Sequence, residues 1–110
     1  MVKQYRVLIS ANAQESLDGI VDYVTEDKSY DAALKLERKL LEAIQSLKTF
    51  PEGYGSLKIK RKKSDNPYRF LPCANYKIIY TVEEDPDAIV IIIELVHDSR
   101  SGATVDELLP

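Results

Sequence analysis

The chain has few of the residues from which cofactor and metal sites are built. Among its 110 residues there is one cysteine, Cys73, and one histidine, His97. A single cysteine excludes an internal disulfide, and together with one histidine it cannot form a zinc site of the usual composition. The glycine-rich phosphate-binding motifs and the nucleophile-elbow motif of hydrolases are also missing from the sequence. We therefore expect no cofactor and no metal.

Long hydrophobic runs are missing as well. No apolar run approaches the ~20 residues that a membrane-spanning helix needs, and the first residues lack the apolar centre of a secretion signal. The hydrophobic fraction is 45% and the charged fraction 30%, values typical of a soluble globular protein. We expect a single domain over residues 1–100, a C-terminal tail over 101–110, and a location in the reducing cytoplasm away from membranes.

Apolar periodicity predicts two helices joined by a short connection. The spacing in each case places the apolar residues on one face. The two faces comprise Ala13, Leu17, Ile20, Val21 and Val24, then Ala33, Leu36, Leu40, Ile44 and Leu47. Residues 10–12 supply N-cap candidates for the first helix, and Asn12 with Glu15 resembles a capping box. Ser29 or Asp31 can cap the second helix, which makes the pair an antiparallel hairpin.

Four segments rich in β-branched and aromatic residues predict strands, at 5–9, 68–71, 76–82 and 88–96; residues 57–60 are a strand or its approach. The fold class is therefore α+β in the order β-α-α-β-β-β, with an antiparallel sheet and the two-helix hairpin packed on one face. Alternation along the third of these strands places Lys77, Ile79 and Thr81 on the opposite face from Tyr76 and its alternate neighbours. The face without helices is available for binding.

Charge is unevenly distributed along the sequence. The net charge is −3 overall, but −2 over residues 1–54, +6 over 55–80 and −7 over 81–110. We define the basic cluster as Lys58, Lys60, Arg61, Lys62 and Lys63, with Arg69 nearby. A concentrated positive field attracts phosphate or an acidic protein segment. The alternative interpretation is a solvated loop that keeps the protein soluble.

Several motifs then occur in a characteristic order. Together they resemble the RelE/ParE superfamily of toxins from bacterial type II toxin–antitoxin systems, over about residues 3–100. The resemblance rests on the first strand and helix, on Leu47-x-x-Phe50-Pro51, on Tyr68-Arg69, on Tyr76-x-Ile78-x-Tyr80-x-Val82, and on Val96-His97-x-x-Arg100. Each motif is weak alone, and their combination is fairly specific.

The resemblance implies a protein that is neutralised by a cognate antitoxin. RelE-like members cleave mRNA on the ribosome without a metal, using cationic and acid–base groups; here these are Lys77, Arg69 and His97. At the position of Lys77 the RelE-like nucleases more typically carry arginine. At the positions of Asp98 and Thr104 these nucleases carry arginine and then tyrosine.

These departures favour a ParE-like inhibitor of DNA gyrase. The alternatives are a ribosome-dependent mRNA endonuclease, which alone would make the protein an enzyme, or a member that binds its antitoxin without toxicity. The basic cluster, Arg69 and Arg100 are the candidate contacts with a partner or a nucleic acid. A homodimer and a toxin–antitoxin hetero-oligomer both remain open.

Overall fold

Two helices lie between the first strand and the remaining four. The computed structural model describes residues 4–49, 51, 56–57, 68–84 and 86–97. Their elements are β1 (Arg6–Ile9), α1 (Ala11–Asp27), α2 (Tyr30–Ser46), β2 (Ser56–Leu57), β3 (Tyr68–Cys73), β4 (Tyr76–Glu83) and β5 (Ile89–His97). The predicted α+β class and the predicted element order are confirmed, with β2 as a short additional edge strand. Neither helix is long and apolar enough to cross a membrane.

Each helix begins at a serine that has extended backbone geometry. The Ser10 hydroxyl oxygen accepts a hydrogen bond from the Ala13 N–H at 3.1 Å, and the Ser29 oxygen accepts one from the Ala32 N–H at 3.0 Å. Each serine thereby satisfies one of the N–H groups that the first helical turn leaves unpaired. Ser29 was predicted as a cap. The capping box centred on Asn12 is wrong, because the helix already starts one residue earlier.

The strand order across the sheet is β1-β5-β4-β3-β2. Strands β3, β4 and β5 form the predicted antiparallel meander. The sheet is nevertheless mixed, because β1 pairs with β5 in parallel from Arg6 opposite Ile89 to Ile9 opposite Ile92. Parallel neighbours need a long crossover connection, and here that connection contains both helices and the remaining strands.

The main core lies between the helical hairpin and one face of the sheet, which we call the inner face. Helix α1 contacts β5 and α2 contacts β3. The predicted helical faces are confirmed, since Leu40 and Ile44 are completely buried. Burying a leucine or isoleucine side chain contributes ~1.5–3 kcal/mol each. The other fully buried members of this core include Ala13, Leu47, Ile78, Tyr80, Val90 and Ile92.

A second, smaller cluster lies on the opposite face, which we call the outer face. Ile79 and Val96 are buried there, with Tyr68, Phe70 and Ile93 packed against them. Ile79 belongs to this cluster while Ile78 and Tyr80 belong to the main core, so the alternation predicted for this strand is confirmed. Between β4 and β5 the register shifts by one residue, and Ile93 is the extra residue of this β-bulge.

Candidate functional site

A lysine held against an aromatic ring lies on the outer face. The ammonium of Lys77 lies 4.7 Å from the centre of the Phe70 ring, within the range of a cation–π interaction. Lys77 pairs with Pro72 of β3 on one side and with Val96 of β5 on the other. The lysine is half-buried, so its charge is held in one place rather than carried on a free side chain.

The surroundings of Lys77 are aromatic and apolar. Tyr68, Phe70 and Ile93 are half-buried around the buried Ile79 and Val96. Together with Lys77 itself, these five side chains form what we call the Lys77 surface. Aromatic residues around a few placed charges are enriched in protein–protein contacts. This arrangement can therefore bind an apolar protein surface that carries an acidic group opposite Lys77.

Arg69 lies on the other side of the sheet. It is directly opposite Tyr80, whose buried side chain belongs to the main core, and directly paired residues of neighbouring strands point to the same face. The hydroxyl of Tyr80 donates a hydrogen bond to the Pro51 carbonyl. Arg69 is half-buried, on the inner face and away from Lys77.

His97 also lies towards the inner face, at the end of β5. It pairs with Tyr76, and the two rings meet edge to face with their centres 5.1 Å apart and their planes at 88°. Burial raises the pKa of the Tyr76 phenol, and the nearby phenol of Tyr23 raises it further. His97 is exposed although its ring contacts the half-buried Tyr76 ring.

Cys73 completes the row that contains Tyr76 and His97. Its thiol donates a weak hydrogen bond to the Lys39 carbonyl at 3.7 Å. Burial raises the pKa of the thiol, and the charge of Lys39 opposes that rise in part. A thiol with a raised pKa is a poor nucleophile at neutral pH.

The structure does not bring the three predicted catalytic residues together. Lys77 lies on the outer face, whereas Arg69 and His97 lie on the inner face. The partners of those two residues on β4, Tyr80 and Tyr76, are four positions apart, which corresponds to about 13 Å along a strand. Their catalytic roles stay predictions. The basic cluster of Lys58, Lys60, Arg61, Lys62 and Lys63 lies outside the described residues, as does Arg100.

Sequence reasoning missed two features of this region. One is the position of Phe70 beneath Lys77, which depends on the register between β3 and β4. The other is Glu94, which is only 9% exposed. Its carboxylate accepts hydrogen bonds from the Ser16 hydroxyl of α1 and from the Leu95 N–H. The available signal was its position as the only charged residue in an otherwise apolar strand.

Over the described parts of the chain, no three histidine, cysteine, aspartate or glutamate side chains gather as a metal site would require.

Comparisons with known proteins agree with the fold. The model of the family described as "ParE toxin of type II toxin-antitoxin system, parDE" matches residues 7–102. The chain superposes on a chain of the chromosomal ParDE toxin–antitoxin system from P. aeruginosa with a TM-score of 0.68 and 16% identity, covering 86% of this chain and 97% of that one.

A second similar structure is the archaeal RelE–RelB complex from Pyrococcus horikoshii OT3. Its TM-score is 0.60 at 21% identity, with 89% of this chain and 99% of that chain covered. At such identities the two likenesses show a shared fold. A comparison with curated proteins finds no match. Because the family model spans nearly all of the sequence, the chain belongs to the ParE toxin family of type II toxin–antitoxin systems.

Proposed function

We propose that this toxin acts on DNA gyrase by protein–protein contact and that a cognate antitoxin neutralises it by binding. The observation that carries the first part is the separation of Lys77 from Arg69 and His97. Cleavage of RNA without a metal needs cationic and acid–base groups that converge on one phosphate. Three groups spread over two faces of a sheet do not offer that convergence.

The Lys77 surface supports a contact mechanism instead. Its aromatic and apolar residues supply the kind of area that dominates binding energy in protein complexes. The ammonium of Lys77, fixed over Phe70, supplies orientation by meeting an acidic group of the target. Under this proposal Lys77 is a contact residue that needs no proton transfer and no cofactor.

The antitoxin is proposed as an acidic partner of the basic cluster. The similar solved structures are toxin–antitoxin complexes, and the charge of +6 over residues 55–80 favours an acidic segment. Arg69 and Arg100 join the cluster as proposed contacts. Because these contacts rest on charge, the affinity for the antitoxin should fall steeply as salt concentration rises.

Supercoiling of relaxed plasmid by purified gyrase tests the target. The chain should inhibit supercoiling, and adding the antitoxin should restore it. Lys77→Glu should abolish inhibition without unfolding the protein, since the reversed charge would repel an acidic group. The matched control is Lys35→Glu on α2, which breaks only an exposed pair with Asp31 and should inhibit as well as the unmodified chain.

A second assay separates the other functions. In a cell-free translation system, the proposed toxin should leave translated mRNA intact. Cleavage of that mRNA with normal gyrase activity would contradict the proposal in favour of a ribosome-dependent nuclease. If neither assay responds, the chain only binds its antitoxin.

The antitoxin contact has its own test. Reversing the charges of Lys60 and Arg61 should weaken antitoxin binding, measured by calorimetry, and leave the melting temperature nearly unchanged. The control reverses two exposed charges of α2, at Lys35 and Arg38. Equal antitoxin affinity in both double variants would mean that the cluster is only a solubilising segment.

A further inference from the structure

Strand β5 contains a break in the alternation of its side chains. Glu94 and Leu95 are neighbours, yet both side chains point towards the helices. Leu95 belongs to the main core, and the Glu94 carboxylate accepts a hydrogen bond from the Ser16 hydroxyl of α1. Successive residues of a regular strand point to opposite faces. The β-bulge interrupts that rule, and Ile93 and Val96, on either side of the break, both lie on the outer face.

The bulge thereby determines the composition of the Lys77 surface. Two of its members, Ile93 and Val96, come from β5. They are three positions apart, and an odd separation in a regular strand would place one on each face. An unbroken β5 could therefore supply only one of these two side chains to the surface around Lys77.

Side-chain hydrogen bonds hold the bulge in place. The Ser10 hydroxyl donates to the Ile93 carbonyl at 3.1 Å. The Leu95 N–H donates to the Glu94 carboxylate at 3.0 Å, and the Ser16 hydroxyl donates to the same oxygen, Oε1. A bulge disrupts the backbone ladder locally, and buried backbone groups need partners. Glu94 thus joins the backbone of the bulge directly to α1.

Stability alone does not account for a glutamate at this position. Glu94 is only 9% exposed, and within the described residues the partners of its carboxylate are a hydroxyl and a backbone amide, both neutral. Burying a carboxylate without a cationic partner is costly. An apolar side chain of similar size would fill the same space without that cost, but it could not accept the two hydrogen bonds.

We propose that Glu94 is a positioning residue, which holds the bulge so that Ile93 and Val96 both stand beside Lys77 on the outer face. Glu94 itself lies on the helical side of β5 and does not touch the target. Its effect on gyrase inhibition rests on the function proposed above, whereas its effect on the outer face does not.

Three substitutions separate positioning from stability. Glu94→Gln keeps an oxygen that can accept both hydrogen bonds, so the bulge should be preserved. Glu94→Leu keeps a similar bulk but removes the acceptor, and the melting temperature should not fall because a buried carboxylate is replaced by an apolar group. Ser16→Ala removes the donor on α1 and places a good helix former there. It should therefore loosen the bulge while the helix remains intact.

Hydrogen exchange and NMR follow the bulge directly. In the unmodified chain and in Glu94→Gln, the Leu95 amide should exchange slowly, and methyl contacts should connect Ile93 with Ile79. In Glu94→Leu the Leu95 amide should exchange about tenfold faster, as expected for local opening, and the contacts of Ile93 should weaken. The amide of Val90, which lies in β5 before the bulge, is the internal control and should exchange at the same rate in every variant.

The supercoiling assay gives the functional readout. Glu94→Leu should require about tenfold more protein for half-inhibition of gyrase, which corresponds to the loss of one good contact. Glu94→Gln should inhibit as well as the unmodified chain. A residue that only filled space would give the opposite result, because leucine would replace it without loss.

Unchanged Leu95 exchange and unchanged Ile93 contacts in Glu94→Leu would overturn the proposal, whatever the gyrase result. Equal changes in Glu94→Gln and Glu94→Leu would do the same, since the hydrogen bonds would then not be the cause. If Glu94→Leu does not fold, the same measurements on Ser16→Ala decide. Failure of the unmodified chain to inhibit gyrase would refute the proposed function instead, and the exchange and NMR comparison would still decide the role of Glu94.

Discussion

Truncation of Leu40 tests the packing of the helical hairpin on the sheet. Leu40 is completely buried in the main core, a cluster that also contains Leu17 of α1 and Tyr80 of β4. Leu40→Ala removes apolar atoms from this cluster and leaves a cavity, at a cost of ~2–5 kcal/mol. A domain of this size is stable by ~5–15 kcal/mol, so the variant should lose a large part of its stability. The melting temperature should fall by roughly 8–20 °C.

Urea unfolding followed by circular dichroism measures this loss. The midpoint should move to lower urea while the slope of the transition is unchanged, because the same surface is exposed on unfolding. Leu34→Ala is the matched control, since it is the same substitution on the same helix at a 38% exposed position and should change the stability by about 0.5 kcal/mol or less. A loss below about 1 kcal/mol for Leu40→Ala would refute the assignment of this helical face to the core.

Three further changes test other parts of the fold. Tyr80→Phe removes the buried hydroxyl that donates to the Pro51 carbonyl and should cost ~1–3 kcal/mol in urea unfolding, whereas Tyr30→Phe at a 66% exposed position should cost nothing measurable. Gly19→Ala should stabilise the protein by ~0.5–1 kcal/mol, because a Cβ there meets no atom within 4 Å and glycine weakens a helix interior; a lower melting temperature would contradict this. Burial raises the pKa of Tyr76 above 10.0, so its contribution to stability is complete below the unfolded pKa and is lost as pH rises through the higher folded value. Tyr76→Phe should remove that alkaline loss, and identical stability–pH curves for the two proteins would count against it.

The helices and the inner face could be predicted because their signal is local. The spacing of Leu40 and Ile44 along one segment already determines that they share a helical face. The alternation of Lys77 and Ile79 with their neighbours likewise follows from the two-residue repeat of a strand. The cap of α1 was harder to assign, since Ser10 and Asn12 have similar capping preferences. The choice depends on where β1 stops pairing with β5, and the Ser10 hydroxyl also donates to the Ile93 carbonyl.

The arrangement of the site depends on information that no single segment carries. Whether Arg69 and Lys77 share a face is set by the register of β3 against β4, and a shift of one residue would have reversed the answer. The position of Phe70 beneath Lys77 depends on the same register. The parallel pairing of β1 joins residues that are far apart in the chain, so periodicity within either strand gives no sign of it.

Because β1 pairs with β5, the sheet can be completed only after β5 has been synthesised. Arg6 is synthesised well before its partner Ile89, so the two cannot pair until β5 has left the ribosome. Closing so long a loop costs chain entropy before any contact repays it. Strand β1 therefore stays unpaired with β5 until then, and the helical hairpin can form first because its contacts are local. Until β5 has left the ribosome, β4 lacks one of its two neighbours in the sheet, so the outer face described above forms only after β5 emerges.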